Sequence, residues 1–477
     1  MKKITIKDFN LGGVSDSILS GIKNSMSRMI GWDIHSIPAL LQVNQKMTKI
    51  SSTTVTELCK AVVDCSDGNK YWFSGSSGKI WKQTSSNVVS LVHTTTPATG
   101  GASCLGAMQH GGYIYWATET KLHRILITGT SDWTTNAVED WQTFTNGNAS
   151  FHPMKTVNLV LFIGDGNLIH QVSETNTYSV SALDIPVGYI TTALGTMSTS
   201  LLIGAYLGAG INKATIFQWN TWSTSFTNSD DVPEEGIWAF LEADNYVLVN
   251  AGLAGNIYYY NSVGLEHFKR ITGTYTPSAT AKIYPYATAI WKGSIPIFGV
   301  SNVSGNPCDE GIWSLGKHSR NYPNVLNLEF PISELDGDGY HRVSGVEIGA
   351  ILVSGSNIYC AWAYNSTYGI DKLDYSNKIA KPIMETRAMI PDNSSLTPFR
   401  YFTAGYKSLP SGTSIVFKYK KNYETTWQDL TEMVDTDRNI VKVDAEQLEA
   451  RVLELRIEAV SSVNDSPQID EISIGVN

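Results

Sequence analysis

Lys70-Tyr-Trp-Phe-Ser-Gly-Ser-Ser-Gly-Lys-Ile-Trp-Lys82 joins two short apolar runs through a turn of Gly and Ser. The first run is rich in aromatic residues, and the second contains one aliphatic residue, Ile80, between Lys79 and Trp81. Aromatic and β-branched residues favour strands, whereas Gly and Ser favour the turn that joins them. The stretch therefore predicts two antiparallel strands, the second with its aliphatic residue facing inward.

The same scheme recurs six more times along the chain, each time bounded by Gly, Asn, Asp or Ser. The later copies lie at 112–124, 159–170, 201–218, 246–260, 294–314 and 357–372. Their inward aliphatic residues are expected to be Ile80, Leu122, Leu168, Ile216, Ile257, Ile312 and Ile370. A repeat of roughly 40–60 residues is the length of a four-stranded propeller blade, whereas β-sandwich domains repeat at about 100 residues. The periodicity predicts an all-β fold built around a seven-bladed β-propeller.

The two ends of the chain lack this repeat and predict further units. Residues 1–45 are expected to form an extended N-terminal arm, with a ring-closing strand at 39–43 and contacts to a neighbouring subunit. The propeller is assigned to residues 46–380 and a C-terminal β-sandwich or jelly roll to 381–477. Alternation of apolar and polar residues predicts half-buried strands at 383–390, 399–406, 414–420, 452–460 and 469–474.

Composition restricts the possible function classes. The 477 residues carry 35 Lys+Arg against 44 Asp+Glu, a net charge of −9 that does not favour nucleic-acid binding. No signal peptide or membrane span is predicted. The odd number of scattered cysteines, Cys59, Cys65, Cys104, Cys308 and Cys360, indicates free thiols made in a reducing cytoplasm.

A search for chemistry yields no predicted catalytic, cofactor-binding or metal-binding residue. Asp336-Gly-Asp338-Gly-Tyr340-His341 resembles a calcium loop, but an EF-hand requires an oxygen ligand and a Gly where Tyr340 and His341 stand. Asp165-Gly-Asn167 is interpreted as a hairpin turn. The pairs 230–231, 234–235 and 309–310 are candidates for glycosidase carboxylates, yet their turn contexts favour solvated charges. The repeated aromatic residues are expected to pack between blades rather than to bind sugars: Trp72, Trp81, Trp116, Tyr258, Tyr259, Tyr260, Trp313 and Trp362.

Three stretches resemble β-propeller virion proteins of tailed bacteriophages, namely tail hub, nozzle or minor tail proteins. These stretches are 31–43, the first repeat at 70–82, and the strands of 452–474. The resemblance covers the layout of the whole chain without a sharp motif, and it implies no catalytic residues.

The resemblance implies a non-enzymatic structural protein of a phage tail or head–tail connection, made in the cytoplasm of the bacterial host. Its expected partners are other virion proteins, such as tail, connector or fibre subunits, and copies of itself in a six- or twelvefold ring. No cofactor is expected. Two alternatives stay open: a receptor- or glycan-binding tail adhesin, and a propeller glycosidase.

Overall fold

The computed structural model describes an all-β chain, as the repeats predict. It covers residues 2–476 apart from 16, 20, 22, 38, 52–53, 129–131, 149, 244–245, 262, 272–279, 303–308, 320, 337–342, 392–395, 407–408 and 434–439. Within these residues the helical elements are one four-residue α-helix, α1 (Trp133–Asn136), and two 3₁₀ turns, Phe9–Leu11 and Ser333–Leu335. No helix of the described chain is long and apolar enough to cross a membrane.

Most strands belong to four-stranded antiparallel sheets that follow one another along the chain. The first two sheets contain β6 (Cys59–Asp64), β7 (Lys70–Ser74), β8 (Lys79–Gln83) and β9 (Val89–Thr94), then β10 (Gly106–His110), β11 (Tyr113–Ala117), β12 (Lys121–Leu126) and β13 (Ala137–Thr143). The next two contain β14 (Met154–Val157), β15 (Val160–Asp165), β16 (Leu168–Val172) and β17 (Tyr178–Asp184), then β18 (Ile190–Met197), β19 (Ser200–Tyr206), β20 (Ala214–Trp219) and β21 (Asn228–Val232).

Three further groups complete the series. The fifth sheet contains β22 (Ile237–Ala243), β23 (Tyr246–Ala251), β24 (Asn256–Asn261) and β25 (Gly264–Arg270). The sixth group, β26 (Thr288–Trp291), β27 (Ile295–Val300), β28 (Gly311–Gly316) and β29 (Val325–Phe330), has the same strand order inside a nine-stranded sheet. The last sheet contains β30 (Glu347–Ser354), β31 (Asn357–Tyr364) and β32 (Thr367–Lys378), and its fourth strand is β5 (Gln45–Lys49), from the start of the chain.

The sheets form a closed ring through their first strands. β6 contacts β10, and the contacts continue through β14, β18, β22, β26 and β30, which returns to β6. Buried clusters combine residues of neighbouring sheets, such as Phe73 with Trp116 and Leu202 with Val249. Each sheet thus shields the apolar face of the next, which is the arrangement of a β-propeller.

The predicted inward aliphatic residues are buried, with one correction. Ile80, Leu122, Ile216, Ile257, Ile312 and Ile370 are at most 1% exposed. In the third sheet the residue paired in the same way is Ile169, opposite Gly164, whereas Leu168 pairs with Asp165 at the hairpin end and is only half-buried. The prediction of Leu168 as the inward aliphatic residue is therefore wrong. The tight turn at Gly166 (φ 60°) lets β16 begin at Leu168, one residue before the core position at Ile169.

The predicted ring-closing strand at 39–43 is wrong. β4 (Leu41–Val43) pairs with β3 (Trp32–Asp33) and with β39 (Gln468–Val476), outside the ring. The strand that completes the last sheet is β5, which places Met47 opposite Leu373. An N-terminal strand does close the ring, but it begins beyond the expected segment.

The N-terminal segment is not an extended arm where the structure describes it. β1 (Lys2–Ile6) pairs with β39, and β2 (Met26–Ile30) lies between β29, which runs parallel to it, and β33 (Ile383–Thr386), which runs antiparallel. All five residues of β2 are buried. β2 therefore joins the sixth group of ring strands to the C-terminal strands in one nine-stranded sheet.

The C-terminal strands form two sheets with a shared core. One sheet contains β34 (Thr397–Tyr406), β37 (Ile440–Ala450) and β39; the other contains β33, β35 (Ser414–Lys421), β36 (Gln428–Met433) and β38 (Leu453–Val460). Phe402 and Ile474 of the first sheet share a buried cluster with Leu453 and Leu455 of the second. The alternation in the sequence therefore located β33, β34, β35, β38 and β39 to within a few residues, but it missed β36 and β37.

Candidate functional site

A cavity of about 240 Å³ lies where the innermost strands of several sheets begin. We call it the mouth cavity. Its lining comes from the start of β6, the turn after β7 and the segments that lead into β10, β14 and β26: Lys60, Gly75, Ser103, Cys104, Leu105, Ser150, Phe151, Lys282, Tyr284, Pro285 and Tyr286. Residues far apart in sequence meet here only because the ring brings the strand starts together.

A second, more open cavity of about 540 Å³ lies along the same innermost strands. It is lined by residues of β6, β10 and β14, including Asp64 and Lys155, and Tyr286 lines both cavities. The Tyr286 hydroxyl accepts the Ala107 N–H (2.9 Å), and its carbonyl accepts the Ile351 N–H (2.8 Å). Tyr286 is thus hydrogen bonded to two different sheets of the ring, through β10 and β30, and burial raises the pKa of its phenol.

The ammonium group of Lys282 lies among three aromatic rings, two of which line the mouth cavity. Its Nζ is 4.6 Å from the ring centroid of Trp238, 5.2 Å from that of Tyr284 and 5.7 Å from that of Phe151. Such distances allow cation–π attraction. Burial lowers the pKa of Lys282, the charge of Lys60 lowers it further, and the carboxylate of Glu347 partly offsets both.

Lys60 approaches the same ring from a different sheet. Its Nζ is 5.0 Å from the Tyr284 centroid, and its aliphatic stem crosses Gly75 so closely that a Cβ there would lie 2.4 Å from Lys60 Cδ. The turn that carries Gly75 is held by Glu57, whose carboxylate accepts the Ser74 hydroxyl (2.5 Å) and the Ser77 N–H (3.1 Å). The local sequence therefore fixes the path of the Lys60 side chain.

The charges of this site are unevenly matched. Among the described residues neither Lys60 nor Lys282 has an ion-pair partner within 4 Å, whereas Lys155 in the second cavity is paired with Glu242 at 2.6 Å. Glu347 accepts the hydroxyl of Tyr284 (2.7 Å) and supplies the compensating negative charge. Chemically, the arrangement can hold an anion beside aromatic faces.

The carboxylate pairs singled out in the sequence are engaged in structural contacts. Glu234 accepts hydrogen bonds from Asn256 and Tyr258 (both 2.8 Å), and Asp230 accepts one from Tyr260 (2.8 Å). Asp309 pairs with Arg28 (2.7 Å). The sequence predicts that the carboxylates of these pairs are solvated. Among them only Asp231 is mainly exposed to solvent, with its side chain 64% exposed.

Glu310 differs from the other members of these pairs because it is buried. Its Oε1 has no hydrogen-bond partner among the described residues, and the residue is 4% exposed. Burial and the neighbouring Asp309 charge raise the pKa of Glu310 to about 9, so it is neutral at pH 7. It lies at the junction around Arg28 and does not line the mouth cavity.

Two turn motifs of the sequence remain, at 336–341 and at 165–167. The possible calcium loop lies mostly outside the described residues, except that Asp336 accepts the Ala380 N–H (3.0 Å). No group of three or more potential ligands occurs in the part of the chain that the structure covers. Asp165–Asn167 does form a hairpin turn between β15 and β16, but Asp165 is fully buried and bound to His170 (3.1 Å).

The cysteines and repeat aromatics match the expectations. Cys59, Cys65, Cys104 and Cys360 are free and buried, while Cys308 lies outside the described residues. Burial raises the pKa of the Cys104 thiol to about 12. The aromatic residues pack in the core, with Trp72, Trp81, Trp116, Trp313 and Trp362 at most 2% exposed.

Sequence reasoning missed every charged and aromatic residue of the mouth cavity. The one available signal is the segment Lys282-Ile-Tyr-Pro-Tyr286 just before β26, where every second residue is charged or aromatic and lines the cavity. The other residues, such as Lys60 and Phe151, stand alone in their segments.

No family model and no curated protein matches the chain. Among solved structures it is similar to a streptogramin B lyase (13% identity, 69% of this chain and 98% of that one, TM-score 0.49) and to the Dos1 propeller (11%, 69% and 94%, 0.42). It is also similar to BamB from Moraxella catarrhalis (11%, 66% and 82%, 0.38). The architecture described above rests on the strand pairings of this chain.

Proposed function

We propose that this protein is a structural component of a tailed bacteriophage particle, acting by assembly with neighbouring subunits in the tail or head–tail region. In this proposal the seven groups of four strands are seven blades, and the C-terminal sheets form a β-sandwich. The observation that carries it is the nine-stranded sheet, because β2 joins ring and C-terminal strands without a flexible linker. A ring and C-terminal sheets that are rigidly joined suit a particle component that must hold its neighbouring subunits in fixed relative positions.

Buried charge reinforces this junction. Arg28 of β2 contacts Asp309 of the ring segment before β28 (2.7 Å) and Glu385 of β33 (3.3 Å), and Arg456 of β38 binds the same Glu385 carboxylate. The Arg28 side chain is only 4% exposed. Such a network has discrete geometry and resists sliding of one sheet past the other.

Exposed apolar side chains supply candidate contacts with other subunits. Trp222 is 75% exposed, Val187 91% and Val263 95%, each in a loop beside the third or fourth strand of its sheet. Large apolar side chains that face water are favourable to bury against a partner. They lie at the rim of the ring, where copies arranged in a circle would meet.

The proposal is tested by native mass spectrometry and negative-stain imaging of the purified full chain at micromolar concentration. Closed rings of six or twelve copies are expected, and Trp222→Ser with Val263→Ser should shift them toward monomers. Lys269→Ser, on β25, serves as a matched surface control. Peptides of the protein should also co-purify with phage particles from a culture that carries the gene. A monomer absent from particles, or sugar release abolished by one carboxylate substitution, would contradict the proposal.

A further inference from the structure

We propose that the mouth cavity binds one carboxylate-bearing sugar unit, such as a uronic acid, with its carboxylate between Lys60 and Lys282. This inference goes beyond the assembly role and does not depend on it, since the cavity lies inside one chain. It deepens the open question of whether the particle component also recognises a glycan.

The charge of the cavity favours a monovalent anion. Both ammonium groups lie near the Tyr284 ring, at 5.0 and 5.2 Å from its centroid, so two like charges are held at one place with no ion-pair partner within 4 Å among the described residues. Glu347, hydrogen bonded to the Tyr284 hydroxyl, offsets one of them. The remainder is one positive charge, which a single carboxylate neutralises better than a phosphate dianion.

The energetic argument rests on desolvation. Two half-buried cations that repel each other are less stable than the same cations with an anion between them, because attraction strengthens as water is excluded. Burial and the nearby charge of Lys60 already weaken protonation of Lys282. The negative charge of an anion in the cavity would oppose both effects by favouring the protonated form of Lys282, so the free site gains from binding.

Size and lining favour a sugar ring as the body of the ligand. At about 30 Å³ per water, 240 Å³ holds about eight waters, which a pyranose unit can displace. Phe151 and Tyr284 supply aromatic faces for the C–H groups of the ring, and Ser103 and Ser150 supply hydroxyls at the wall. Apolar faces beside a few polar groups are typical of ligand cavities.

The experiment is isothermal titration calorimetry of the full chain with D-glucuronate, D-glucose, inorganic phosphate and acetate. Glucuronate should bind at least tenfold more tightly than glucose, phosphate or acetate. Lys282→Gln and Lys60→Gln should each weaken glucuronate binding at least tenfold. Lys155→Gln is the matched control, because it removes the same charge from the second cavity, and it should leave binding unchanged.

Gly75→Ala gives a second probe that keeps every charge. Its added Cβ must push the Lys60 stem aside, so weaker glucuronate binding with an unchanged melting temperature is expected. The variant also keeps the test valid if a lysine substitution unfolds the chain. The proposal would be overturned by equal affinity for glucose, phosphate or acetate, or by loss of binding in Lys155→Gln. It would also be overturned if Lys60→Gln and Gly75→Ala had no effect on glucuronate binding. Ring assembly without glucuronate binding would overturn this inference alone.

Discussion

At the scale of the residue, two buried histidines perform the same task in neighbouring sheets. His123 Nδ1 accepts the Asp140 N–H (3.0 Å) and His170 Nδ1 accepts the Ser181 N–H (3.1 Å). Each histidine stands at a register shift of the third strand, opposite a residue with positive φ. Because Nδ1 accepts, the other ring nitrogen of neutral His123 donates to the Thr118 hydroxyl (3.0 Å). The imidazole thus satisfies the backbone of a bulge that would otherwise lose a bond.

This arrangement predicts an acid-sensitive contribution to stability. Burial lowers the pKa of His123 to about 4, despite the opposing charges of Asp140 and Glu139. Unfolded histidine titrates near 6.5, so the unfolded chain takes up the proton first as the pH falls. Neutral His123 makes its full contribution to stability above about pH 6.5, and this contribution is lost as the pH falls toward 4. At pH 5 the loss in the free energy of unfolding is about 2 kcal/mol.

Urea denaturation at pH 7.5 and pH 5 measures this effect. His123→Gln should lose less stability between the two pH values than the parent chain, by about 2 kcal/mol, because glutamine cannot be protonated. His267→Gln, at an exposed position of β25, should keep the parent's pH dependence. An unchanged pH dependence in His123→Gln would show that this imidazole is not the group responsible.

At the scale of the element, β2 unites the two halves of the molecule through buried charge. Arg28 donates from Nε to Asp309 (2.8 Å) and pairs with Glu385, so the strand is tied to the ring on one side and to β33 on the other. Removing one partner of a buried pair leaves the other charge without compensation. Arg28→Met should therefore lower the free energy of unfolding by about 3–5 kcal/mol.

The matched control for Arg28→Met is Lys3→Met. Lys3 pairs with Glu471 at 2.7 Å, but both side chains are largely solvated, so its loss should cost far less. Calorimetry of the two variants gives the comparison, and Arg28→Met should also split the transition into ring and C-terminal steps. Equal losses in both variants would mean that burial does not determine the strength of the Arg28 network.

The elements also show what the sequence could predict. Alternation located β35 and β38, since one face of each strand is polar. β2 has no such alternation, because Ser27 and Arg28 are buried along with its methionines, and only distant carboxylates make that burial favourable. The mouth cavity was invisible for a related reason. Lys60 and Lys282 are ordinary residues of separate segments, and they meet only after the ring has closed.

At the scale of the whole molecule, ring closure depends on a strand that is not adjacent in sequence to its sheet. β5 contributes the fourth strand beside β32, and the chain then continues into the first sheet. Met47 of β5 and Leu373 of β32 are directly opposite and 2% exposed. Detaching β5 should therefore uncover the buried cluster that Met47 shares with the sixth group and the last sheet, whereas the fourth strands β9, β13, β17, β21 and β25 each follow their own third strand directly.

Met47→Asp tests this dependence on closure. An unpaired carboxylate at this buried position should cost about 3 kcal/mol or more, as should Val232→Asp at a buried position of β21. The two variants should differ in where protection from hydrogen exchange is lost. In Met47→Asp the loss should extend from β5 and β32 to the sixth group of strands, because Met47 shares a buried cluster with Ile297 and Phe330 of that group. In Val232→Asp it should stay within β18–β21 and their contacts. Exchange by mass spectrometry separates these patterns, and a loss confined to β5 in Met47→Asp would show that contacts between β30 and β6 hold the ring shut without this strand.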